Sequence, residues 1–167
     1  MTPLENIIDE VIFMNKKKDT GELKEVLGKT HISDMEHFFS ENADNLLNGD
    51  RPFADYFREV LKTKSVMQKD VFLLADIPER YGYKLISEEK RTKQRDVILR
   101  LCYAATFTLD ETQKALKLYE LPELYPRIPR DALIMVCFNE RPGSIIDVNH
   151  YLMKNKMDPL RTSGVQE

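Results

Sequence analysis

Proline 78 follows Ile77 inside an apolar stretch, "DVFLLADIPERYGYKLI", and this single bond limits what the chain can fold into. A proline pushes the residue before it out of the α region. A helix carrying Val71, Phe72, Leu74 and Ala75 therefore ends there, and a second, carrying Tyr81, Tyr83, Leu85 and Ile86, runs from about 79 to 87. Neither is long enough to be stable alone. Two such pieces, joined by so few residues, need other helices to cover their apolar faces.

The flanking sequence supplies them. Phe53, Tyr56, Phe57, Val60 and Leu61 recur at the spacing of one amphipathic face. Val97, Ile98, Leu101, Cys102 and Ala105 form another stripe, and "LDETQKALKLYEL" a fifth helix opened by Thr108. Two more helices are expected over about 130–140 and 144–154. Before residue 50, the pattern predicts helices over 3–15, 21–27 and 33–47, the first with Pro3 at its opening position. Capping-box candidates lie at Thr2…Glu5, Ser33…Glu36, Ser65…Gln68, Thr108…Glu111 and Ser144…Asp147. With only 6 Gly in 167 residues, sharp β-turns have few places to form, and the expectation is an all-α protein. "NGDRP" at 48–52 and the three prolines of "PELYPRIPR" divide it into an acidic helical extension (1–50), a central domain (51–121) and a C-terminal helical extension with a polar tail (122–167). No internal repeat is evident.

Chemistry is sparse. Cys102 and Cys137 each sit in an apolar helical stretch and read as reduced core thiols. His31, His37 and His150 match no metal-ligand spacing, and no nucleophile elbow, phosphate loop or dinucleotide fingerprint occurs. Neither an enzyme nor a bound cofactor or metal is expected. No apolar run reaches the ~20 residues that span a bilayer. The first 15 residues carry Glu5, Asp9 and Glu10 where a secretory signal would be basic, so the expected location is cytoplasmic. Net charge is only −3, yet it is unevenly spread. Residues 1–55 hold 6 Lys and Arg against 12 Asp and Glu, whereas residues 56–100 hold 11 against 7. That basic third contains the broken helix pair and the cluster "EEKRTKQRD", which points to a nucleic-acid face.

Five short helices in about 65 residues, the second and third nearly touching, are the mark of a helix-turn-helix unit. Residues 53–120 resemble the Cro and phage-repressor (XRE) class. "VMQKDVFLLADIPERYGYKLI" supplies the central motif, with Gln68 opening helix two and Met67 at its cap. The resemblance implies a five-helix lambda-repressor-like domain. It departs from the usual pattern at Phe72, where Ala is common, at Asp76, where Gly is common, and at Gly82, where Ile or Val is common. In the family the first and last of these positions pack together, so a large residue opposite a glycine conserves volume. Asp76 is acceptable at the turn because Asp tolerates the left-handed region.

The resemblance further implies a sequence-specific DNA-binding transcriptional regulator that presents helix 79–87 to the major groove. Glu79, Arg80, Tyr83, Lys84 and Ser87 would face the bases, and Gln68 a phosphate. Lys90 and Arg91, with Lys93 and Arg95, would supply the salt-dependent backbone attraction. Double-stranded DNA is then the expected partner, read by a homodimer, with protein contacts through the N- or C-terminal helices. The alternative is a protein-interaction module on the same scaffold that has lost DNA binding, favoured by Glu79, Glu88 and Glu89 beside the proposed face.

Overall fold

A computed structural model of the chain describes residues 18–46 and 50–162. The helix expected over 3–15, with its Thr2…Glu5 cap, lies outside the described residues. Among those described there are nine α-helices and no strand, and no helix is long and apolar enough to cross a membrane. The chain divides into two compact units, Met1–Asn48 and Gly49–Glu167.

In the first unit α1 spans Thr20–Lys29 and α2 spans Met35–Glu41. Asp19 and Glu22 form a capping box at the start of α1. The helix expected over 33–47 is shorter than its periodicity suggests. The buried Asn42 turns its side-chain amide back to the Phe38 carbonyl at 3.0 Å and accepts from Lys18 Nζ at 2.9 Å. Only a 3-10 turn, Ala43–Asn45, follows. No side chain caps α2, so the Ser33…Glu36 candidate is not realised.

The second unit holds α3 (Pro52–Lys64), α4 (Gln68–Ala75), α5 (Glu79–Ile86), α6 (Arg95–Ala104), α7 (Leu109–Leu118), α8 (Pro129–Glu140) and α9 (Ile145–Lys154). Ser65 is left-handed at the end of α3 and Met67 is the N-cap of α4, so Ser65…Gln68 is not a capping box. α6 is the centre of the core, with every residue from Val97 to Ala104 buried. Phe53, Phe57, Val71, Phe72, Leu85, Leu116, Ile134, Phe138 and Leu152 surround it in one cluster. The C-terminal helices therefore share their core with the central ones. Both cysteines are free and buried within it.

Residues 95–125 and 130–161 repeat one structural unit, which corrects the expectation of no internal repeat. Each opens on an Arg-Asp pair, Arg95-Asp96 or Arg130-Asp131. Each first helix is followed by a left-handed residue, Thr106 (φ 63°) two past the end of α6 or Arg141 (φ 55°) directly after α8. Each second helix begins with a hydroxyl cap and an acid three residues on, Thr108 with Glu111 and Ser144 with Asp147. Each is followed by another left-handed residue, Glu120 (φ 62°) or Lys156 (φ 61°). The amides of Leu121 and Met157 close the turn on Leu116 and Leu152, both at 2.9 Å. Finally, Gln113 Oε1 accepts from Leu124 N and Asn149 Oδ1 from Leu160 N, both at 2.8 Å.

The two copies meet through those Arg-Asp pairs. Arg95 grips Asp131 with two bonds, at 3.0 and 2.5 Å, and Arg130 grips Asp96 at 3.0 and 2.9 Å. Asp131 also accepts the Tyr125 amide, and Asp96 the equivalent Arg161 amide. The same contact made in both directions is what a local two-fold relation produces.

Candidate nucleic-acid interface

α4 and α5 are joined by Asp76, Ile77 and Pro78. Asp76 takes the left-handed conformation (φ 53°, ψ 50°) that turns the chain sharply after α4. The Ile77 amide closes on the Phe72 carbonyl at 3.1 Å, and the Ile77 side chain is buried. The Phe72 ring lies against Gly82, leaving no room for a Cβ there. That exchange of volume is why α4 and α5 approach each other at this point.

The outer surface of α5 carries Glu79, Arg80 and Tyr83 in solvent, with Lys84 and Ser87 half-buried. The Tyr83 ring rests edge-on against Phe72, 4.7 Å between centroids, while Tyr81 is partly buried against the core. Arg80 and Lys84 are one turn apart on one face. Among the described residues neither has a carboxylate within ion-pair distance, and neither does the exposed Lys69 on α4. Gln68 is half-buried in the first turn of α4, and neither α4 nor α5 has a side-chain cap at its N-terminus. Lys90 is exposed and lies over the Tyr81 ring, 5.8 Å from its centroid.

The remaining predicted residues are engaged within the fold. Arg91 bonds Glu88 at 2.6 Å and the Tyr119 carbonyl at 2.6 Å, and stacks on the Tyr119 ring. Ser87 Oγ donates to the Lys84 carbonyl and accepts from the Glu89 amide. Arg95 is held by Asp131. Glu88, expected to repel phosphate, has a side chain only 4% exposed. It accepts the Ala54 amide in the first turn of α3 at 3.2 Å, so its charge is met by a helix N-terminus and a guanidinium.

A further pattern secures the ends of these helices and of the next two. Four consecutive helices each end on carbonyls bound by an arginine from elsewhere in the unit. Arg100 donates to Ala75 at the end of α4, and Arg51 to Ser87 at the end of α5. Arg141 donates to Tyr103 at the end of α6, and to Phe107, while Arg91 meets Tyr119 at the end of α7. A cation is favoured at each of these places by the negative end of the helix dipole. Burial lowers the pKa of Arg100, with Asp76 and Asp96 opposing the shift, and likewise lowers that of Arg141. No local spacing announces such long-range caps.

Among the described residues no group of His, Cys, Asp and Glu is placed to hold a metal ion. No family model matches the chain, nor does any characterised relative or solved structure.

Proposed function

We propose that the chain is a DNA-binding regulator of the lambda-repressor-like kind, presenting α5 to the major groove with α4 against the backbone. The supporting observation is the pair Arg80 and Lys84, one turn apart on the outer face of α5 with no carboxylate partner, on a helix anchored by the Asp76 turn and the Phe72–Gly82 contact. Arg can make a bidentate contact to guanine, Lys can reach guanine or phosphate, and Glu79 can accept from cytosine. The uncapped start of α4, with Gln68, suits a phosphate. Lys69 and Lys90 add sequence-independent attraction. One such helix reads only a half-site, so the regulator binds as a homodimer on a two-fold site. Replacing Arg80 and Lys84 together by Ala tests this: duplex binding weakens while melting is nearly unchanged.

A second reading is favoured by the apolar surface of α4. Leu73 (78% exposed) and Leu74 (58%) stand in solvent near the turn, and Met67 (67%) at the opposite end of the helix. On this reading the scaffold docks a protein, and the double variant leaves its binding partner unaffected.

A further inference from the structure

The repeat described above has one side filled and one side open. In the first copy, α3 lies along α7 and the turn that leads into it. Phe57 stacks on Phe107, 4.8 Å between centroids, and Phe53 meets Tyr119 at 4.7 Å. At the far end Lys64 pairs with Glu111 at 2.9 Å. In the second copy the corresponding positions line an open groove of about 220 Å³ between α8 and α9. Pro142 stands in the place of Phe107 and Asn155 in that of Tyr119. Val136, 55% exposed, replaces the fully buried Leu101, and Tyr151, 42% exposed, replaces the fully buried Ala115. Leu133 and Cys137 form the floor.

The charges correspond as well. Asp147, the counterpart of Glu111, is exposed at the start of α9, and Glu140 lines the groove at the neighbouring end of α8. That end of the groove is acidic where the filled one takes a lysine.

We propose that the α8–α9 groove docks an amphipathic helix of a partner protein, carrying two large apolar or aromatic residues one turn apart and a lysine two turns further on. Phe53, Phe57 and Lys64 of α3 display this pattern on the first copy. The same apolar insertion covers Val136 and Tyr151, and the cation meets Glu140 and Asp147. The inference stands independently of DNA binding.

The probe is a fluorescein-labelled peptide with the α3 sequence, residues 51–66, titrated with the full chain and read by fluorescence anisotropy. Saturable binding is expected below about 1 mM. Val136→Arg in the chain should weaken it at least about tenfold with melting preserved, because Val136 is exposed. A peptide with both phenylalanines changed to Ala should not bind, and one with Lys64→Glu should bind more weakly. Absence of saturable binding, or binding indifferent to Val136→Arg, overturns the proposal. So does a wild-type dimer in sedimentation that Val136→Arg converts to monomer, which would make a second copy the occupant. Peptide binding that requires deletion of residues 1–17 would assign the groove to the chain's own N-terminal segment instead.

Discussion

The ring of Phe72 occupies the space that a side chain at Gly82 would need. A Cβ on Gly82 would lie 2.8 Å from Phe72 Cγ and closer still to Cδ1 and Cε1. Gly82→Ala gains about 0.5–1 kcal/mol of helix preference, yet overpacks the junction of α4 and α5 at a cost of about 1–3 kcal/mol. A net loss of stability is expected in denaturant titration. Phe72→Ala alone should cost about 3–5 kcal/mol. The double variant should be more stable than the sum of the two losses predicts, because the new methyl enters the vacated space.

Asp131 is 1% exposed and takes two bonds from Arg95 and one from the Tyr125 amide. Asp131→Ala leaves Arg95 without its carboxylate and should cost about 3–5 kcal/mol. A double-mutant cycle with Arg95→Ala should give a coupling of about 1–3 kcal/mol, read from urea midpoints. Additive losses would mean that the clamp between the two repeats contributes no coupling.

Arg100 joins two distant carbonyls, Ala75 at the end of α4 and Leu160 near the C-terminal end of the second repeat. Arg100→Met removes the donors for both and should lower stability by about 2–3 kcal/mol. Arg100→Lys should recover only part of it, since an ammonium lacks the fork that reaches both acceptors. Hydrogen exchange of the amides of Asp76, Ile77 and Leu160 should quicken together in either variant.

Burial works to raise the pKa of Glu111, but hydrogen bonds from the Thr108 backbone and from Lys64, with the charge of Lys64, outweigh it and hold the carboxyl below its ordinary value. A carboxyl depressed in the folded state stabilises fully above its unfolded pKa and less as pH falls through the folded one. Between about pH 5 and about pH 3, wild-type Tm should therefore fall more steeply than that of Glu111→Gln. Parallel curves would show that Glu111 is not part of the acid response.

The all-helical class was legible because apolar residues recur at helical spacing from Phe53 to Met153, and Pro78 marks the one sharp break inside the central pair. The left-handed residue at Asp76 was foreseeable from its position between the two helices. Other features depend on partners far away in sequence. The residues expected on the basic loop divide into two kinds only in three dimensions: Lys90 faces solvent, whereas Arg91 and Glu88 hold the ends of α3 and α7. The repeat was hidden because its copies are identical only at Arg95/Arg130, Asp96/Asp131, Cys102/Cys137, Leu116/Leu152 and Leu124/Leu160, with Gly143 inserted in the second. What is kept is a set of left-handed turns, caps and an amide clasp, which many side chains satisfy. Conversely, the helix over 33–47 looked continuous because periodicity does not register an asparagine that turns back on its own backbone.

On the proposed reading, the outer face of α5 attracts the DNA polyanion. The most direct measurement is the anisotropy of a fluorescein-labelled duplex of random sequence, titrated with the chain at several salt concentrations. Affinity should fall by about tenfold or more between about 50 and about 200 mM salt, and the variant with Arg80 and Lys84 both changed to Ala should bind more weakly with a shallower salt dependence. No binding at about 50 mM salt, or a double variant that matches the wild type throughout, would contradict it.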